Sequence, residues 1–174
     1  LVPVAWRSLR IRQDDGGNAL TMRGRLEHSS LQAYASQIAG AATPRLLVVC
    51  QVGPDAALLA FETIDAEPFA ACADNLTDGD LDRAWVAVKR LQDHHVSHRT
   101  LSADNILRDS QGGVWLVRGE EGSVAAGDVS LRLDLAEMLC TLALLTSAER
   151  AVDSGLRVLG RVRLGRALPA LQAV

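Results

Sequence analysis

DGDLDRAWVAVKRLQDHHV, residues 78–96, followed by SHRTLSADNILRDSQGGVWLV, residues 97–117, is the stretch on which the fold turns. Its first half spaces Leu81, Trp85, Val88, Leu91 and His95 along one helical stripe, with Asp78, Asp80 and Asp82 at the positive N-terminal end. A helix from Asp78 to Val96 is therefore expected, and it delivers His94, His95 and His98 into a loop. Beyond the loop, Ile106-Leu107 and Val114-Trp115-Leu116-Val117 are short apolar runs. Asp109-Ser110-Gln111-Gly112-Gly113, a turn-forming cluster, joins them into a β-hairpin.

Upstream, Leu46 to Gln51 and Ala56 to Thr63 are rich in Val, Leu and Phe, and Val52-Gly53-Pro54-Asp55 between them has turn chemistry, which predicts a first hairpin. Leu26, Leu31, Tyr34, Ala35 and Ile38 recur at helical steps before Gly40 and Pro44, predicting an amphipathic helix over Leu26 to Ile38. A short helix over Leu1 to Arg12 precedes it, broken by Asp14-Asp15-Gly16-Gly17-Asn18. Ile64 to Pro68 reads as a polar, hinge-like connector. Downstream, Leu131 to Leu145, Ala148 to Leu159 and Val162 to Ala173 are helical by pattern, the last two separated near Gly160.

The 174 residues suit one domain in two lobes: a partial N-terminal segment over 1–63, the connector at 64–68, and a helical segment over 69–174. Hydrophobic residues at 48% and charged residues at 22% exclude disordered and fibrous classes. A net charge of -3 lacks the basic surplus that phosphate backbones require, so nucleic acid is not expected as a partner. Cys50, Cys72 and Cys140 are too few and too scattered for a disulfide framework or a zinc ribbon, and read as small buried hydrophobes in a reducing compartment. The longest apolar run, Met138 to Thr146, falls short of the roughly 20 residues that span a bilayer. The chain opens at Leu1 without Met or a leader pattern, which suggests a piece of something longer.

His98-Arg99-Thr100-Leu101-Ser102-Ala103-Asp104-Asn105, set between a long helix and a hairpin, resembles the catalytic loop of the protein-kinase-like superfamily, H-R-D-x-x-x-x-N. Three fixed positions match: His98, Arg99 and Asn105. Leu133-Asp134-Leu135-Ala136-Glu137 resembles the start of that fold's large core helix, and the resemblance implies that a buried Asp134 holds the loop backbone. Trp6-Arg7-Ser8-Leu9, Leu26-Glu27-His28, Thr43-Pro44-Arg45-Leu46, Glu149-Arg150-Ala151-Val152 and Ala167-Leu168-Pro169-Ala170-Leu171-Gln172 narrow it. Together with the loop they resemble the cytosolic kinase-like region of actinobacterial membrane proteins of the lysylphosphatidylglycerol-synthase-like, flippase-like family. The implied fold is α+β and kinase-like. The implied place is the cytoplasmic face of the plasma membrane, and the implied partner is the transmembrane portion of the same polypeptide or another membrane protein.

The chemistry of that superfamily needs a lysine on the phosphates, an Asp that takes the nucleophile's proton, and an Asn with a second Asp on magnesium. The only lysine, Lys89, lies inside the 78–96 helix, and no glycine-rich phosphate loop precedes it; the resembled family carries both ahead of the Trp6 segment, so their absence speaks of the fragment and not of its parent. Thr100 stands where the base should, and a hydroxyl is a weak base near neutral pH; losing a positioned base removes about 10²- to 10⁴-fold in rate. After the strand ending at Val117 comes Arg118-Gly119-Glu120 instead of Asp-Phe-Gly. Unit charges ~4 Å apart at an effective dielectric near 20 interact by ~4 kcal/mol, so a guanidinium in place of the carboxylate repels a divalent ion.

The expected protein is a catalytically inactive pseudokinase module, regulatory or scaffolding, with no intact catalytic site, metal site or required cofactor. One alternative is an active phosphotransferase using ATP and magnesium, with Asp104 as base and Glu120-Glu121 replacing the metal motif. Another is a docking domain that binds no nucleotide. If a nucleotide binds, Asn105 and Arg118 are the residues to hold it, although Arg118 is expected to pair with Glu120, Glu121 or Asp134. His94, His95 and His98 with Asp93 have the chemistry of a metal set, but His95 on the apolar stripe and His98 in the loop favour structural roles. Arg99 and Asp134 read as scaffolding, and Trp85 and Trp115 as core.

Overall fold

The structure, a computed structural model, describes residues 22–52 and 56–171. The helix expected over Leu1 to Arg12, the Trp6 segment, Gly53-Pro54-Asp55 of the first turn, and the chain after Leu171 lie outside the described residues. The architecture is mixed α+β, with four helices and two small antiparallel sheets among the described residues. In chain order they are α1 (Met22–Ile38), β1 (Leu46–Gln51), β2 (Ala57–Phe61), β3 (Ala66–Pro68), α2 (Asp78–Asp93), β4 (Ile106–Asp109), β5 (Val114–Leu116), α3 (Asp128–Leu145) and α4 (Ala148–Leu164).

Helix α2 is the centre of the core. Thr77 caps it: its hydroxyl accepts from the Asp80 N–H while the Asp80 carboxylate accepts from the Thr77 N–H at 2.8 Å, a reciprocal box that fixes the first turn. Leu81, Trp85, Val88 and Leu91 are fully buried, packed among Leu135, Met138 and Leu142 of α3 and Ala151 and Leu164 of α4. The helix ends at Asp93, earlier than expected, and His95 adopts a left-handed conformation and is exposed instead of completing the stripe. Asp78 and Asp82 do more than complement the helix dipole. They pair with Arg150 and Arg157 of α4, and Asp93 pairs with Arg163, so an acidic row on one helix meets a basic row on the other.

Both hairpins form where turn chemistry placed them. β1 pairs with β2 from Leu46↔Phe61 to Gln51↔Ala57, and β4 pairs with β5 from Ile106↔Leu116 to Arg108↔Val114. The connector departs from expectation: its last three residues are β3, which pairs with β4 (Glu67↔Arg108) and makes the second sheet three-stranded. Three residues ending in a proline give no period-2 signal, and the strand exists because the edge of β4 accepts it. The two C-terminal helical patterns meet within α4 at a break on Gly160, as expected, where φ of 75° and ψ of 163° leave the helical region. That helix stops at Leu164 and passes into a 3₁₀ turn over Gly165–Ala167, well short of Ala173.

Helix α1 keeps only part of the expected facing, Ala35 packing against the core. Leu31, Tyr34 and Ile38 are at least half exposed, while Gln32 and Ser36 are buried and His28 half-buried, so the polar row i, i+4, i+8 faces the protein. Its C-terminus is closed by Gly40 at φ 70°, with the Gly40 N–H on the Gln37 carbonyl and the Ala41 N–H on the Ser36 carbonyl. Of the cysteines, Cys72 is buried, Cys140 intermediate and Cys50 exposed, which corrects the reading of all three as buried. Trp85 is core, but Trp115 is half-buried, with its indole N–H on the Asp109 carboxylate at 2.9 Å.

Candidate functional site

The loop between α2 and β4 is suspended from α3. Asp134, 1% exposed, accepts the His98 N–H at 2.7 Å on one carboxylate oxygen and the Arg99 N–H at 2.8 Å on the other. Arg99 can present its N–H this way because it sits in the left-handed region at φ 69°. The Arg99 guanidinium reaches the Ser130 hydroxyl, one turn earlier on α3, at 3.3 Å. Burial pushes the Asp134 carboxyl up to about 7, while the two backbone N–H groups pull it down.

Around this anchor the loop is closed by its own residues. Asn105 donates its side-chain N–H to the Thr100 carbonyl at 3.0 Å, and its backbone carbonyl accepts the Val117 N–H at 2.9 Å, joining loop to hairpin. Thr100 donates its hydroxyl to the Arg118 carbonyl at 2.6 Å. That uses its single proton, so the 3.3 Å contact between Thr100 Oγ1 and His98 Nδ1 has Nδ1–H as donor, leaving Nε2 as the bare nitrogen. His98 is 2% exposed, and burial pushes its imidazole down to about 4, with the Val117 carbonyl pulling the other way, so the ring is neutral near pH 7.

Arg118 also lies in the left-handed region, at φ 60°, and its exposed guanidinium pairs with no acid among the described residues. The expected pairing with Glu120, Glu121 or Asp134 is therefore corrected: Glu120 and Glu121 point into solvent from a 3₁₀ turn, and Asp134 is used on the loop backbone. The set does not suit magnesium. A cation stands at the position of the expected acid, and Asn105 offers a single side-chain oxygen. Nor do the histidines converge: His94 and His95 are exposed while His98 is buried, and no group of three or more His, Cys, Asp or Glu is placed to hold a metal among the described residues. Lys89 pairs with Asp93 on the outer face of α2.

A cleft of about 200 Å³ opens beside the loop, between α1, the Thr43-Pro44 bend, the end of β2, and the segment from Leu116 to Glu120. His98 and Arg118 line it, and so does Glu120; Asp104, which is exposed, does not, so the two acids of the alternative mechanism do not meet there. Two contacts that tie α1 to this region had no sequence argument behind them. Gln32, 2% exposed, donates to the Ser97 carbonyl at 2.6 Å, and His28 bonds the Gly122 carbonyl at 2.8 Å. The spacing His28, Gln32, Ser36 was the available signal, masked by the more conspicuous apolar positions of the same helix. Gly122 is required for space at φ −69°: a Cβ there would lie 2.1 Å from the Ser97 carbonyl oxygen and 2.4 Å from Gln32 Nε2. Among the described residues no helix is long and apolar enough to cross a membrane. Compared with protein-family models and with curated proteins, the chain finds no match in either.

Proposed function

We propose that the chain is a catalytically inactive kinase-like module, a pseudokinase, forming the cytosolic regulatory or scaffolding part of a bacterial membrane protein. The observation that carries this reading is the buried Asp134 carboxylate bonded to the backbone of His98 and Arg99, the interaction that the resemblance to the kinase-like loop implies. The order of helix, hairpin, connector, helix, loop, hairpin and core helix supports it. The residues around the clamp argue against catalysis. The Thr100 hydroxyl donates to a carbonyl where a base should accept a proton, and Arg118 occupies the position of the metal-binding acid.

The test is transfer of labelled phosphate from ATP with magnesium to the protein itself or to a generic protein substrate. The expected result is none, and none in Thr100→Asp, whose carboxylate would face the Arg118 carbonyl while the guanidinium stays in place. Transfer by the native chain that disappears in Asp104→Asn overturns the reading in favour of the atypical enzyme. A second reading, docking without nucleotide, is favoured by the exposure of Leu47, Val48, Val49 and Leu58 on the first sheet. An unchanged melting temperature with ATP, with and without magnesium, selects docking; a rise with ATP selects the pseudokinase that retains a nucleotide.

A further inference from the structure

We propose that the first sheet is a self-association surface, on which β1 pairs antiparallel with the β1 of a second copy of this chain about a two-fold axis, giving a four-stranded sheet in the order β2, β1, β1, β2. Strand β1 has β2 on one side and no strand on the other among the described residues. Every residue from Leu47 to Gln51 is exposed, and Val52 beyond them is 65% exposed. An edge of this kind is a template for a further strand, and native proteins blunt it with charge, proline or a bulge. Residues 46–52 and 56–61 contain no charged residue and no proline. The bulge lies between Leu46 and Val48, at the start of the strand, and Val48 to Gln51 continue in unbroken register.

The occupant follows from that composition. A strand seated beside β1 sets its side chains against Leu47, Val48, Val49 and Val52, so it must be apolar and uncharged. Among the described strands β3 and β4 carry Glu67, Arg108 and Asp109, and β5 is largely buried, so β1 itself is the strand that fits. A two-fold axis brings two identical uncharged strands together without like-charge repulsion. Association closes at two, because β2 is not an equal edge: of its five residues only Leu58 is exposed, and Leu58, opposite Cys50, belongs to the same patch. The patch is small against the roughly 20–30 residues a side of a standard interface, which places the dimer in the weak class, below about 1,200 Å² in total. This inference stands on the sheet alone and holds whether or not the chain is a pseudokinase.

The test is sedimentation of the full chain from about 1 μM to about 1 mM, the range in which a weak complex forms. The mass is expected to rise from 18.6 kDa towards twice that value. Val49→Lys, at a side chain 40% exposed, puts an ammonium group on each of the two adjoining strands and should weaken association about tenfold or more, whereas Val162→Lys, 84% exposed on α4, should leave it unchanged. Cys50, the exposed cysteine, reports the surface. Antiparallel strands ~4.8 Å apart and offset by a few residues keep the two Cys50 sulfurs within ~10–15 Å, so a thiol-to-thiol cross-linker of that span should join two copies, and Cys50→Ser should abolish the product. A mass that stays at that of one chain throughout overturns the proposal and leaves the face to a different partner. Undiminished association of a folded Val49→Lys, or undiminished cross-linking of Cys50→Ser, puts the contact elsewhere and overturns it too. If Val49→Lys does not fold, cross-linking through Cys50 in the native chain decides.

Discussion

His98 and Asp134 titrate far from their ordinary values because both are buried, and the consequences for stability oppose each other. As pH falls through 6.5 the unfolded chain takes up a proton on His98 while the folded chain waits until about 4, so this residue destabilises the fold progressively across that window. Asp134 works in reverse. The folded state binds its proton near 7 and the unfolded state only near 3.8, so acidification across nearly the same window stabilises the fold. Each effect is worth ~3–4 kcal/mol over the full range, and in the native chain they largely cancel. Separated by mutation they should reappear: relative to the native chain, His98→Gln gains stability between pH 7 and 4.5 and Asp134→Asn loses it. Urea unfolding at a series of pH values measures both slopes, and parallel profiles for all three proteins would refute the assignment. Asp134 was legible beforehand because the loop motif names its partner. Gln32 was not, since the polar row of His28, Gln32 and Ser36 is overshadowed by the more conspicuous apolar positions of the same helix.

Helix α1 is held to the loop by hydrogen bonds more than by apolar burial: Gln32 on Ser97, His28 on Gly122, and little hydrocarbon on the inner face. Its amides should therefore exchange with solvent before those of α2, whose Leu81, Trp85, Val88 and Leu91 are sealed in the core. Gly122→Ala should weaken that attachment: the added carbon would collide with the Ser97 carbonyl and displace Gln32, at a cost of ~2–3 kcal/mol in stability by urea unfolding. An unchanged unfolding midpoint would refute the close contact. The elements themselves were largely readable: hairpins from their turn residues, α2 from its stripe and acidic start, the α4 bend from its glycine. What escaped was pairing set by distant chain. The orientation of α1 depends on what the 97–123 region offers it, and β3 depends on the exposed edge of β4.

For the molecule as a whole, the bend at Gly160 decides how the chain returns to the core. It turns the end of α4 so that Leu164 lies against Gly155 and, with Ala167, closes over the Trp85 face of α2. No atom within 4 Å opposes a Cβ at position 160, so the demand there is purely torsional, in a region that glycine alone visits freely. The composition and the helical patterns announced a break but said nothing of its hand. A mirror-image residue has its favoured torsions where φ is positive. D-alanine installed at 160 by ligation of a synthetic C-terminal peptide should raise the melting point, because it stiffens the unfolded chain without disturbing the native turn, whereas L-alanine at the same place should lower it.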